Sequence, residues 1–367
     1  MTEKRLLSLD AFRGLTIAGM ILVNNPGSWK HVYVPLRHTE WHGWTPADLV
    51  FPFFLFIIGV SISLSFSKKM ERGIEKHELY FKIMKRTFIR FALGIFLAFI
   101  PRFNFATLRI PGVLQRIALC YLFSSFLFLK TGTKGRSMAA FSLLVIYWII
   151  IKLVPVPGYG PGILAYEGNL CAYIDSHLLA GHLYKPGFDP EGILSTLPAI
   201  STTLLGTLTG DWLRSSKEIL HKTFGIFIGG LFFTLGGLLL HPLFPINKQL
   251  WTSTYVLFTA GIALLLLGVC YGMMEGIGFK KWAAPFLVLG INAITAYVGS
   301  SLMVKLISLI RVSANGEVLP LKTYIYNHLL VPWAGPLNGS LIFPLLLIIL
   351  WVGIMVPLYK KKIFIKI

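Results

Sequence analysis

Hydrophobic residues fall into long runs along this chain, separated by short polar or basic segments. Residues 226–240, 256–269 and 341–357 approach or reach the roughly 20 apolar positions that one bilayer crossing needs. Read this way, the pattern predicts ten membrane-crossing helices, at about 6–24, 46–66, 86–101, 112–129, 137–154, 192–210, 223–241, 251–272, 283–304 and 339–358. Backbone inside a bilayer must satisfy its own hydrogen bonds, so the expected fold is all-α and polytopic, a single transmembrane domain over 1–367. The longer polar stretches, 25–45, 155–191 and 305–338, are read as loops. Within the last, residues 324–339 carry Gly and Pro interruptions and read as a re-entrant segment.

Charge gives the pattern a direction. Segments 1–5, 68–90, 130–136, 214–222, 280–281 and 360–366 alternate with less basic ones and hold 22 of the 34 Lys and Arg residues. By the positive-inside rule these are cytoplasmic, together with both termini, which agrees with an even number of crossings. Loops 25–45, 155–191 and 305–338 then face away from the cytoplasm.

Composition narrows the class further. With 55% hydrophobic and only 13% charged residues, the chain could not cover its apolar surface as a soluble protein. A net charge of +19 would suggest nucleic acid in a soluble domain. Here the basic residues sit between spans, so topology and anionic lipid headgroups account for them, and no nucleic-acid partner is expected. The first span contains Asp10, Arg13 and Asn24 and lacks a small-residue cleavage site, so no cleavable signal peptide is expected. Cys120, Cys171 and Cys270 have no metal-ligand spacing, and no metal is expected. GxSxG, GxxxxGK[ST], HExxH and paired CxxC motifs are missing, which removes the serine hydrolase, P-loop and zinc hydrolase readings. No internal repeat is visible, which weakens a secondary-transporter reading.

Candidate chemistry concentrates in residues 8–64. The first two spans flank a loop containing His31, His38, Glu40, His42 and Asp48. Ionisable groups beside membrane-buried segments are costly, so they mark a working site. A neutral imidazole at His38 can act as base or nucleophile. Asp48, ten residues on, could orient that ring or cap the second helix at TPAD, and the two roles are compatible. His31 and His42 read more simply as solvated loop residues. Asn24 could donate to a developing oxyanion or merely end its helix. Asp10 and Arg13, three apart, share a helical face and are expected to pair, with phosphate contact by Arg13 as the alternative.

Elsewhere, RIPGVLQR places Arg109 and Arg116 seven residues apart. Each needs a carboxylate, a phosphate or a substrate as partner. In DPEG, Glu191 caps the sixth span or reads an amino or hydroxyl group. PINKQLW puts Asn247, Lys248 and Trp251 on the outer face, and Asn292 in the ninth span needs a polar partner or lines a tunnel. Tyr159, Tyr166, Tyr173 and Tyr184 suit either sugar stacking or an interfacial belt.

Seven of these motifs occur in register. They are SLDAFRG, the VN ending at Asn24, H-x-x-W-x-G-x-T-x-x-D-L-V-F-P from His38 to Pro52, RIPGVLQR, DPEG, NK-x-LW-T and the G-x-N ending at Asn292. Together they resemble the transmembrane acetyltransferases related to lysosomal heparan-α-glucosaminide N-acetyltransferase, over nearly the whole chain. The resemblance implies an enzyme that takes acetyl-CoA from the cytoplasm and acetylates the amine of a glucosamine-type sugar on the opposite face. It places the catalytic histidine at His38 and the family's asparagine at Asn24, with Asp48 in support. The CoA phosphates would meet Arg13, Lys68, Lys69, Arg86, Arg90 and Arg116, and the acceptor would meet Glu40, Arg109, Glu191, Asn247, Trp251 and Asn292. It also implies a homodimer in a bacterial plasma membrane. The spacer between Asn24 and His38 is a few residues longer than in that family, and no large lumenal domain precedes the motif; both argue against heparan itself as acceptor. An amino-sugar permease and an O-acetyltransferase of exported glycans are the competing readings.

Overall fold

The computed structural model describes residues 6–100, 103–314 and 316–365, so Lys4, Arg5 and Lys366, counted above as cytoplasmic charges, lie outside the described residues. In chain order the helices are α1 (Leu7–Asn24), α2 (Pro46–Glu71), α3 (Lys76–Phe99), α4 (Val113–Lys130), α5 (Thr133–Leu153), the short α6 (Leu170–Leu178), α7 (Thr196–Arg214), α8 (Ile219–Leu239), α9 (Ser253–Tyr271), α10 (Ala284–Ile291) and α11 (Ala293–Leu309). A two-stranded antiparallel hairpin follows, β1 (Arg311–Ala314) with β2 (Glu317–Pro320), in the register Arg311 to Pro320. It is a small departure from an all-helical chain. The chain closes with α12 (Leu321–Tyr324), a π-helical turn at Ile325–Leu330, and α13 (Val331–Lys360).

Helices occupy all ten predicted positions, but the number apolar enough to span is smaller. Among the described residues seven helices have the length and composition to cross a membrane, and eight if α10 and α11, bent by 74° at Asn292, form one crossing. The two shortfalls have clear causes. Helix α3 carries Lys82, Lys85, Arg86 and Arg90 within its last 18 residues, and α7 is rich in Ser and Thr. The re-entrant expectation at 324–339 meets a helix broken at Gly335, whose φ of 76° lies in the left-handed region.

Two compact units divide the chain. The first comprises residues 1–38, 45–50 and 273–367. Its central contact is α1 against α10, and glycine sets the spacing: a Cβ at Gly14 would overlap the carbonyl of Phe286, and one at Gly290 the carbonyl of Asp10. Ala11, Met274, Ala283 and Leu287 form the apolar seam.

The second unit comprises residues 39–44 and 51–272. Here α8 packs along α9, while α4 lies against both α3 and α7. One apolar cluster joins Ile62, Phe66, Leu79, Ile83 and Phe128, and another gathers Tyr147, Ile151, Leu170, Phe188 and Leu250. Arg136 pairs with Asp211, which also accepts from Ser63 (2.7 Å), so α2, α5 and α7 are tied at one buried charge. Outward-facing Phe88, Phe141, Phe232 and Leu239 are each at least 70% exposed, a density of bare apolar side chains suited to lipid.

Candidate active site

The first unit builds the site around His38. Thr45 precedes the first residue of α2, Pro46, whose fixed φ and missing N–H suit a helix start. Asp48 turns back, and its Oδ2 accepts from the Thr45 N–H at 3.0 Å, half of a capping box. Its other oxygen, Oδ1, lies 2.8 Å from His38 Nδ1. The carboxylate is fully buried and the imidazole about one-third exposed. Capping and orientation therefore coexist, one on each oxygen. A carboxylate at Nδ1 holds the proton there, which leaves Nε2 in the basic form. An oriented, partly exposed imidazole of this kind can take a proton from an attacking amine or hydroxyl, or attack an acyl group itself.

At the end of α1, Asn24 is exposed. Its neighbour Asn25 is the buried one, and donates from Nδ2 to Ile21 O at 2.9 Å. Residue type could not separate the two. Arg13 pairs with Asp10 at 2.6 Å and reaches Gly290 O at 3.3 Å, as the three-residue spacing predicts. Asn292 sits at the α10–α11 bend, where its amide donates to Ile363 O (3.0 Å) and accepts from Ile365 N (2.9 Å). Both ends of the amide thus bracket the C-terminal tail, which accounts for its burial without a tunnel.

In the second unit, Arg109 is held by a fork. Its Nε donates to Asp189 Oδ2 (2.8 Å), its Nη2 to Asp189 Oδ1 (2.6 Å), and the same Nη2 pairs with Glu191. The guanidinium also lies 4.7 Å from the Tyr184 ring centroid. Burial alone would lower its pKa, but Glu191 and Asp189 outweigh that and raise it. One cation faces two carboxylates, so the cluster carries a net charge of −1. Glu191 therefore pairs rather than caps. Nearby, Asp175 on α6 accepts the Ile193 N–H at 2.9 Å through Oδ1, while Oδ2 packs on Gly192 with no hydrogen-bond partner. Burial pushes its pKa up to about 6.

Arg116 is fully buried near the start of α4. Its Nη2 donates to Gly192 O (3.1 Å) and pairs with Ser195 Oγ, and the guanidinium lies 5.0 Å from the Trp251 ring. Trp251, expected on the outer face, is 1% exposed. A left-handed φ of 52° turns it inward, where it donates to Thr202 Oγ1 (3.3 Å) and stacks edge-on with Phe51 and Tyr255. It supports Arg116 instead of offering a free ring. Asn247 is also buried, and ties His42 Nδ1 (3.2 Å) and Leu250 N (2.8 Å) into one turn. Burial, then His241, lowers the His42 pKa. Glu40 is exposed.

The basic residues near the expected cytoplasmic ends differ in setting. Lys68 is exposed, Lys69 lies 5.4 Å from the Phe66 ring, Arg86 is half-buried, and Arg90 is buried 4.1 Å from the Tyr121 ring. Sequence reasoning missed Thr45, Ser195 and Asp175. Of these, only Thr45 has a readable signal, in TPAD. It also missed Trp41, which donates to Leu164 O (2.7 Å) and meets Tyr166 and Phe188 edge-on at 5.5 Å.

The chain is similar to known proteins. Residues 5–234 match the family model for the heparan-alpha-glucosaminide N-acetyltransferase catalytic domain. The chain is 30% identical to heparan-alpha-glucosaminide N-acetyltransferase of Mus musculus over 427 aligned positions, covering all of this chain and 61% of the mouse protein. The Homo sapiens protein of the same name is 31% identical over 424 positions, covering 99% of this chain and 60% of its own length. The chain thus spans about three-fifths of these relatives. A family model matched over more than half of the chain, by the part that holds His38, Asp48, Arg109 and Glu191, settles the kinship: this protein belongs to the heparan-alpha-glucosaminide N-acetyltransferase catalytic family.

Proposed function

We propose that this membrane protein transfers an acetyl group from acetyl-CoA, bound from the cytoplasm, to the amine of a glucosamine-type sugar on the other side. The observation that carries the reading is the His38–Asp48 pair, a base held in one tautomer within a loop that charge bias places outside. In this reading Nε2 of His38 takes the amine's proton as nitrogen attacks the thioester carbonyl. The C–S bond breaks, the amide forms, and the imidazolium passes the proton to the departing sulfur, so CoA leaves as the thiol. Direct transfer needs only that one base, so a separate acetyl-histidine step is unnecessary. Asn24 would donate to the oxyanion. The net −1 cluster of Arg109, Asp189 and Glu191 would attract an amino sugar in its ammonium form, which gives one proton to solvent before the neutral amine attacks.

Acetyl-CoA suits the second unit on two counts. Lys68, Lys69 and Arg86 offer charge-assisted contacts to phosphates, with Arg90 as a further cation. Along α3 and α4 lie buried polar atoms without hydrogen-bond partners: Thr87 Oγ1, Gln115 Nε2, Tyr121 OH, Ser124 Oγ and Ser125 Oγ. Such atoms are costly in an apolar interior unless something pairs with them. The two amides and hydroxyl of a pantetheine arm would do so. The test is free-thiol release by the purified protein, with and without glucosamine, for wild type and His38→Ala. Release that needs glucosamine and vanishes in the variant is expected. Release that persists in the variant moves the chemistry away from His38, and none with any amino sugar favours a permease.

A further inference from the structure

We propose that the broken start of α13 holds the His38 loop in place, with Tyr326 and Ser340 as positioning residues for His38. This rests on the reading of His38 as the base. Both residues lie far along the chain, beyond the stretch that matches the family model.

Ser340 is 2% exposed, and both its hydroxyl and its carbonyl go to the loop. Its hydroxyl donates to Ser28 O and accepts from Ser28 N–H, each at 3.0 Å, and its carbonyl accepts from Gly27 N–H at 3.0 Å. The approach is close enough to require glycine: a Cβ at Gly27 would stand 2.7 Å from Tyr326 Cδ2 and 3.0 Å from Ser340 Cα. Tyr326 donates its hydroxyl hydrogen to Pro336 O (3.0 Å), so at 3.1 Å it accepts from His31 Nδ1–H. Neither contact would form in a regular helix. The π turn at Ile325–Leu330 leads into α13 and the left-handed Gly335 breaks it, and together they bring Tyr326, Pro336 and Ser340 to the same turn of loop.

From that anchor the hydrogen bonds run on to the base. Arg37 Nε donates to Val32 O (2.8 Å), beside His31. Thr45 Oγ1 lies 2.6 Å from Arg37 O, Thr45 N donates to Asp48, and Asp48 holds His38. Loosening the Gly27–His31 turn therefore reaches the imidazole through four hydrogen bonds. Displacements of about 1 Å at a reacting group cost up to roughly a hundredfold in rate.

The test uses the full-length protein in detergent, as wild type, Ser340→Ala and Tyr326→Phe, which removes only a hydroxyl. In each variant kcat for thiol release should fall about tenfold, on that scale, while KM for acetyl-CoA and for glucosamine stays put. Trypsin should cut faster after Lys30 and Arg37 in the loop, with no change after Lys217 in the other unit. Unchanged cleavage at Lys30 and Arg37 overturns the anchor, whatever the activity. Faster cleavage there with unaltered kcat overturns the positioning role. Faster cleavage at Lys217 as well reports general loosening and also overturns it. Should wild type itself release no thiol, the acetyltransferase reading fails, and the cleavage pattern still decides the anchor.

Discussion

Asp48→Asn separates the two jobs of one carboxylate. An asparagine carbonyl can accept the Thr45 N–H as the carboxylate does, so that contact can persist and stability should change little. The Oδ1 contact to His38 Nδ1 at 2.8 Å cannot persist as a charge-assisted bond. Such a bond is worth about 1.5–3 kcal/mol, which corresponds to a ~10- to 150-fold preference for the tautomer with Nδ1 protonated. An amide NH₂ turned towards the ring would donate to Nδ1 and place the hydrogen on Nε2, where the base is needed. The two effects act in the same direction, so kcat should fall by roughly 10² to 10⁴, the range that a positioned general base contributes. The assay is glucosamine-dependent thiol release under saturating acetyl-CoA, with thermal unfolding in detergent as the control. Asp48→Ala should lose the same activity and also about 1 kcal/mol of stability, through the missing cap. If Asp48→Asn keeps kcat within threefold of wild type, Asp48 only caps α2, and the orientation argument is wrong.

Three further outcomes follow from the geometry. Glu191→Gln leaves Arg109 paired with Asp189 and makes the cluster neutral, so KM for glucosamine should rise roughly tenfold with KM for acetyl-CoA unchanged; steady-state kinetics on both substrates decides it. Asp175 has a folded pKa of about 6, above its unfolded value near 3.9, so the folded state binds the extra proton and stability falls as pH rises from 4 to 6. Asp175→Asn should remove that slope and unfold at higher temperature than wild type at pH 8, by up to about 3 kcal/mol; a difference that is the same at pH 4 and pH 8 would refute it. Arg116→Lys loses the planar fork to Gly192 and Ser195 and the stacking on Trp251, so thermal unfolding should show a loss of roughly 2 kcal/mol.

Periodicity and charge made the helices legible, because lipid imposes one rule on every span. The His38–Asp48 pair was legible for a local reason: a cap signature sits ten residues from a loop histidine, and both belong to one turn of chain. Other features leave no such trace. Asn24 and Asn25 are indistinguishable until the helix end shows which one faces inward. Trp251 follows a polar NKQ segment and so resembles an interfacial belt residue, but a single left-handed φ reverses its direction. Asn292 reads as a buried amide seeking a ligand, while its partners are backbone groups 71 and 73 positions away. The clamp on the His38 loop is the extreme case, with Ser28 and Ser340 separated by 312 positions and neither lying in a recognisable motif.

The loop from Gly27 to Asp48 has little regular structure and yet little freedom. Only one short 3₁₀ turn, Val34–Leu36, lies within residues 26–45. Hydrophobic packing cannot fix such a segment, since most of its side chains are polar or exposed. Hydrogen bonds at Gly27, Ser28, His31, Tyr33, Arg37 and Thr45 do so instead, spaced a few residues apart and drawn from both ends of the chain. Each contributes only about 1 kcal/mol, which is too little to define a fold but, in series, enough to hold one imidazole against one carboxylate. A base for acyl transfer needs that arrangement more than it needs burial. It must stay open to the incoming amine, and its ring must not have to be reoriented at the moment of attack.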